Sequence, residues 1–359
     1  MSRKWNFSAG PAGLPEEVLQ QAQQDLLDWR GQGASVMELS HRGQPFMDLA
    51  AEIESDLRNL TKMPPNYRLL FLHGGATQHF AQIPMNFAQA NDSADYLVTG
   101  HWGEKAVSEA GSYVGVRVAA SGRTDGYRSL PQDFEVDPGA AYLHYTSNET
   151  IHGVEFTQPP DGGEVPVVAD MSSDFLSRPM DIARFGLIYA GAQKNIGPSG
   201  LVLMLVRDDL LERPRRPMAR IFDYSEIARR DSMLNTPNTW AWYLAGLNFK
   251  WLAAHGGLAA MGERNRAKAD LLYATIDGSG GFYSNPVEPA ARSRMNVPFF
   301  LDDASLDDAF LRESAQADLL SLKGHRALGG MRASIYNAMP LQGVQVLTDF
   351  MRDFARRHG

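Results

Sequence analysis

Between residues 68 and 206 the chain repeats one device: a short apolar run, a polar or helix-patterned stretch, then another apolar run. The runs fall at 68–72, 95–98, 114–119, 141–144, 165–169, 187–190 and 201–206. Several lack the in–out alternation of a half-exposed strand, so both of their faces must be covered. Helices packed on either side of a mainly parallel sheet meet that demand, and an α/β domain is the expectation. Runs such as 201–206 are far too short to cross a bilayer and read as buried strands.

Beyond residue 206 the pattern changes. Thr236-Pro237 reads as a helix start, a cap followed by proline at the first helical position. Trp240, Tyr243, Leu244, Leu247 and Trp251 then recur at helical spacing, Gly256-Gly257 interrupts, and 258–276 reads as a second helix. Strands are expected at 295–301 and 330–336, and helices at 306–320 and 340–357. In the last helix Val344, Leu347, Met351 and Phe354 share one face. A chain of 359 residues can form two domains. The expected division is a large α/β domain over residues 16–257 and a small α+β domain over 258–359, which the segment 1–15 joins.

Composition removes several function classes. A formal charge of −8 opposes non-specific nucleic-acid binding, which needs basic surface. The chain has no cysteine, which excludes disulfides, thiolate metal sites and cysteine nucleophiles and suits a cytoplasmic protein. Met1 to Gly10 carries no apolar signal core, so no secretory signal is expected. The histidines show no His-x-x-x-His pair, and no metal site is expected.

The most specific segment is Tyr189-Ala-Gly-Ala-Gln-Lys194-Asn-Ile-Gly-Pro-Ser-Gly200. A lysine on a small-residue turn between buried strands has bulky space beside it and partial shielding from water. Shielding lowers an amine's pKa and makes it a nucleophile, as a lysine that anchors pyridoxal phosphate as a Schiff base must be. Asp170 ends the run 165–169, where α/β sheets place ligands, and could pair with a protonated pyridine nitrogen. Gly74-Gly75-Ala76-Thr77 follows another strand and offers backbone N–H groups to a phosphate. Trp102 could stack on an aromatic cofactor. His41-Arg42 and His325-Arg326, with Arg332, suit capture of carboxylate or phosphate. Each feature taken alone also has a plainer reading: a hairpin lysine, a helix cap, an ordinary turn, a core tryptophan, surface ion pairs.

Assembled, these segments resemble the class V aminotransferases of the fold-type I pyridoxal-phosphate enzymes. Within that family the chain is most similar to the members that act on phosphorylated serine precursors. The resemblance runs from Phe7 to about Arg357. It rests on Asn6-Phe-Ser-Ala-Gly-Pro-Ala12, Glu38-Leu-Ser-His-Arg-Gly43, His144-Tyr-Thr-Ser-Asn-Glu-Thr150, Ala190 to Pro198, Asn235-Thr-Pro237, Arg292 to Pro298, and Gly324-His-Arg through Asn337. It implies that Lys194 carries the cofactor, Asp170 meets the pyridine nitrogen and Trp102 stacks on the ring. Ala76 and Thr77 would supply phosphate-binding amides, and Thr150 and Gln193 would bond the phenolic oxygen or phosphate. Asn235 and Thr236 would reach the cofactor phosphate from the partner subunit, making a homodimer with shared sites. Arg332 would hold the substrate α-carboxylate. His41 and Arg42, with His325 and Arg326 from the other subunit, would hold the substrate's phosphate or side-chain carboxylate.

The implied reaction moves an amino group between L-glutamate and 3-phosphohydroxypyruvate, and 4-phosphohydroxythreonine stays open as a second substrate. One departure stands out: Gln78-His79-Phe80 replaces the family's usual variable residue and glutamine before phenylalanine. It puts the usual glutamine's role in doubt and should leave the backbone cradle intact. A desulfurase within the family would need a cysteine. An aminotransferase for small unphosphorylated amino acids would have no use for the extra His-Arg pairs. A scaffold that had lost activity would have no reason to keep Lys194 and Asp170.

Overall fold

The computed structural model describes residues 3–214 and 216–359. All seven expected runs are strands of one sheet: β1 (Tyr67–Gly74), β2 (Ser93–Val98), β3 (Gly115–Ser121), β4 (Leu143–Thr146), β5 (Val167–Asp170), β6 (Leu187–Gly191) and β7 (Gly200–Arg207). Their order is β1-β7-β6-β5-β4-β2-β3. β7 runs antiparallel to both of its neighbours, and every other pair is parallel. β7 shows why alternation was missing. Leu201, Leu203 and Leu205 enter one apolar core, Val202, Met204 and Val206 the other, and all six are buried. Each such side chain contributes about 1.5–3 kcal/mol by leaving water.

Helices cover both faces. α1 (Gln44–Thr61) carries Phe46, Leu49 and Ile53 into the first core; α2 (Ala76–Phe87) and α3 (His101–Ala110) put Phe80, Ile83 and Ala106 into the second. α4 (Thr239–Ala254) packs with α1 through Trp242, which stacks on Phe71 at 4.2 Å. The expected start of this helix is corrected. Asn238, not Thr236, is the cap, its Oδ1 accepting from Ala241 N at 3.1 Å. Thr236 precedes a proline, which disfavours helical backbone there, so the pair stays in the incoming loop. Gly256 follows α4 with φ +92°, the left-handed turn that lets α5 (Gly257–Asp277) fold back.

The third apolar core lies in the carboxyl-terminal part. β8 (Tyr283–Ser284), β9 (Asn296–Leu301) and β10 (Met331–Ser334) form an antiparallel sheet in that order. α6 (Asp307–Gln316) and α7 (Leu341–His358) pack on it through Phe310, Val344, Leu347, Met351 and Phe354. Phe7 is buried in the same core, and the adjacent Trp5–Asn6 pairs in parallel with Leu319–Leu320. Among the described residues no helix is long and apolar enough to cross a membrane.

Candidate active site

The carboxyl ends of the co-oriented strands share one edge of the large sheet, where such sheets bind ligands. A cavity of about 290 Å³ opens there. Asp170 closes β5, and the turn after β6 carries Gln193 and Lys194. The turn is held from beneath: Asn248 of α4 donates to the carbonyls of Asn195 (2.6 Å) and Ile196 (3.1 Å). From the carboxyl-terminal part of the chain, Asn337 N donates to Asn195 Oδ1 at 3.0 Å. These buried amides fix the lysine's backbone although the turn itself is made of small residues.

Lys194 Nζ donates to Thr150 Oγ1 at 2.6 Å. Burial brings its pKa down to about 8, helped by the Arg332 charge and opposed by Asp170 and Glu149. Arg332 Nη1 donates to the Thr150 carbonyl at 3.3 Å, so one residue orients both cations. No carboxylate among the described residues forms a salt bridge with Arg332, and burial lowers its pKa. It is a desolvated cation lacking a counter-ion, which is costly unless a ligand provides one.

Asp170 Oδ1 accepts from Ser172 N (2.9 Å) and Ser172 Oγ (2.6 Å), and Ser172 Oγ accepts from Gly191 N (3.0 Å). This bridge locks the ends of β5 and β6 together. Burial raises the Asp170 pKa against the lowering effect of Ser172 and Lys194. A cation brought to this carboxylate would be bound strongly.

Another part of the cavity lining suits an anion. Gly75 caps α2 without a side chain, so the backbone N–H groups of Ala76 and Thr77 meet no side-chain acceptor from the cap. Trp102 lines the cavity, and its Nε1 is buried without a partner among the described residues. A flat ring with a cationic nitrogen near Asp170 and a phosphate at the start of α2 fits this donor set. Lys194 lines the same cavity as an amine whose pKa burial brings down to about 8.

A family model described as aminotransferase class-V matches residues 4–347. This chain belongs to the class-V aminotransferases. It is 60% identical, over the full length of both chains, to phosphoserine aminotransferase of Stenotrophomonas maltophilia (strain R551-3). It is 56% identical, again over both full lengths, to that of Xanthomonas campestris pv. campestris (strain 8004). The solved phosphoserine aminotransferase from Bacillus circulans subsp. alkalophilus superposes with a TM-score of 0.98 at 44% identity, covering 99% of each chain. PLP-bound phosphoserine aminotransferase from Trichomonas vaginalis gives 0.93 at 41% identity, covering 98% of this chain and all of that one. The fold is therefore the expected fold-type I arrangement.

For a class-V aminotransferase the remaining expected residues fall into two groups. Ala76, Thr77, Trp102, Thr150, Gln193 and His325 line the cavity together with Asp170, Lys194 and Arg332. His325, which the resemblance places with the other subunit's site, lines the cavity of its own chain, its ring 5.9 Å from that of His101. His41, Arg42, Asn235, Thr236 and Arg326 do not line that cavity, and all except the partly exposed His41 are exposed. Asn235 Nδ2 lies 3.4 Å from His73 Nε2, beside the start of the Gly74–Thr77 turn. His79, the departure from the family pattern, is fully buried with Nδ1 2.7 Å from Tyr224 Oη; burial lowers its pKa to about 3. It is a neutral core group outside the cavity, and Gly75 to Thr77 keep their place.

Sequence reasoning assigned no role to Ser172, Asn148 or Gly10, which also line the cavity. Asn148 Nδ2 ties the wall to Ser173 Oγ and Asn296 Oδ1, both at 2.8 Å. Its signal was present in the 144–150 motif, and that of Gly10 in the 6–12 motif.

Proposed function

We propose that this chain reversibly transfers an amino group between L-glutamate and 3-phosphohydroxypyruvate, giving 2-oxoglutarate and O-phospho-L-serine, with pyridoxal phosphate held at Lys194. The observation that carries the reading is Arg332, a largely buried guanidinium without a counter-ion that shares Thr150 with the Lys194 amine. Every amino-acid substrate brings the carboxylate it lacks. The phosphorylated substrate follows from the full-length relatives, which are named phosphoserine aminotransferase.

In this reading Lys194 holds the cofactor's aldehyde carbon, Asp170 its ring nitrogen and Trp102 a ring face. Ala76, Thr77, Thr150 and Gln193 hold its phosphate and phenolic oxygen. Pyridoxal phosphate, when bound, supplies an electron-withdrawing ring that spreads the negative charge left when the substrate's Cα loses its proton. The chain's own groups do the rest. Arg332 fixes the α-carboxylate and thereby the direction of the Cα–H bond. Lys194, once displaced by the incoming amine, would take the proton from Cα and deliver it to the cofactor's aldehyde carbon, acting first as base and then as acid. A pKa of about 8 leaves enough neutral amine for the first role and enough ammonium for the second. Thr150 Oγ1 keeps Nζ on its side of the cavity between those steps.

The proposal includes a homodimer with shared sites. His325 serves its own subunit, while His41, Arg42 and Arg326, which lie off their own cavity, reach the substrate's distal anion in the partner's. Asn235 and Thr236 likewise reach the partner's cofactor phosphate. The division into residues 16–257 and 258–359 with 1–15 belongs to the same reading, with Met1 and Ser2 outside the described residues. Phe7 in the small core supports it, whereas Leu258 and Met261 pack in the large one, so α5 bridges the two.

The test is spectroscopic. L-Glutamate and O-phospho-L-serine should each bleach the visible band of the cofactor-loaded protein, and L-serine should not at the same concentration. Equal response to serine contradicts the substrate assignment, and no response to any amino acid contradicts amino transfer.

A further inference from the structure

Glu149 is fully buried, although its chain neighbours Asn148 and Thr150 both line the cavity. Its Oε2 accepts from Trp102 N at 3.1 Å and its Oε1 from Gly103 N at 2.8 Å. These amides belong to the first turn of α3, whose leading N–H groups have no partner within the helix. The residue before a helix usually supplies the missing acceptor. Here that residue is Gly100, which has no side chain and no room for one: a Cβ would fall 2.5 Å from Glu149 Cδ. The cap comes instead from 46 or 47 residues away in sequence, and the space left by glycine admits it. The carboxylate also meets the positive end of the helix dipole. One buried residue thus joins the backbone of Trp102 to the strand end that carries Thr150, the acceptor for Lys194.

We propose that Glu149 is a positioning residue for the cofactor, clamping the first turn of α3 so that the Trp102 indole is held in register with Thr150 and Lys194. This rests on the reading of Trp102 as the residue that stacks on pyridoxal phosphate. Burial and the Asp170 charge raise the Glu149 pKa to about 7, while the two amides and Lys194 favour its charged form. The clamp and the lysine therefore support each other electrostatically.

The experiment measures pyridoxal phosphate binding to the full chain and to Glu149→Gln. Glutamine preserves the volume and one acceptor but turns an NH2 group against a backbone N–H. The dissociation constant should rise about 10–100-fold, the loss of one charge-assisted hydrogen bond. The induced circular dichroism of the bound cofactor should fall as well. In a Trp102→Ala background the same substitution should change the constant by less than about twofold, because the group being positioned is gone. Gly100→Ala is the second variant. It leaves Glu149 chemically intact, displaces its carboxylate, and should weaken binding in the same way if Glu149→Gln does not fold. Unchanged affinity and dichroism in a folded variant overturn the proposal. So does an effect of equal size in the Trp102→Ala background, which marks a purely structural cap. A parent chain that binds no pyridoxal phosphate defeats the cofactor reading itself, and this proposal with it, before any variant is compared.

Discussion

Replacing Arg332 with glutamine tests the substrate end of the cavity quantitatively. The guanidinium uses one nitrogen on the Thr150 carbonyl at 3.3 Å, which leaves donors free for a carboxylate. Two charge-assisted bonds are worth about 1.5–3 kcal/mol each, and glutamine would retain one weaker neutral bond. The net loss is about 3 kcal/mol, or roughly a hundredfold in kcat/KM. Both substrates carry the same α-carboxylate, so single-turnover rates with L-glutamate and O-phospho-L-serine should fall by similar factors. A second readout separates binding from scaffolding. The substitution removes a desolvated cation that has no counter-ion, so the melting temperature of the cofactor-free protein should not fall. Removing a positive charge that depresses the Lys194 pKa should also move that titration to higher pH. A loss confined to one substrate, or a clear fall in melting temperature with rates preserved, would refute the reasoning.

Three further outcomes are expected. Capture of pyridoxal phosphate by the cofactor-free protein should accelerate as pH rises through about 8, because the neutral Lys194 amine is the reactive form, and then level off; a limb nearer the ordinary lysine range of about 10 contradicts the burial argument. Asp170→Asn should slow amino transfer by on the order of 10²–10³-fold. Because burial raises the Asp170 pKa, its cost to the cofactor-free fold builds up as pH rises above the unfolded carboxylate value. The asparagine variant should therefore melt higher than the parent near neutral pH and equal to it in acid, as a calorimetric pH series would read. Mixing Lys194→Ala chains with Arg42→Ala chains should restore about a quarter of parental activity, since half of randomly formed dimers hold one intact shared site. No recovery after subunit exchange means that Arg42 serves its own chain.

The large sheet was legible because burial on both faces leaves an unmistakable mark, as the unbroken run Leu201 to Val206 illustrates. The cavity position of Lys194 was legible only through its neighbourhood, the small residues 190–192 and the apolar runs on either side, because the lysine alone reads as a hairpin residue. The sides of the site were harder to read. A sequence carries no sign that His325, in the loop before β10, comes to line the cavity at the edge of the large sheet. Ser172 and Glu149 were missed because their work is done on backbone amides brought together by the fold. Neither residue type signals such a role on its own. The start of α4 was misplaced by two residues of competing chemistry, Thr-Pro against Asn, where the asparagine oxygen found the helix amide.

A cavity that moves amino groups onto a phosphorylated keto acid must distinguish that acceptor from its unphosphorylated counterpart. A coupled assay with L-glutamate as donor, following 2-oxoglutarate, can compare 3-phosphohydroxypyruvate with 3-hydroxypyruvate at equal concentration. The kcat/KM should be at least about a hundredfold higher for the phosphorylated acceptor, the worth of two charge-assisted contacts to its phosphate. Equal rates would contradict that distinction.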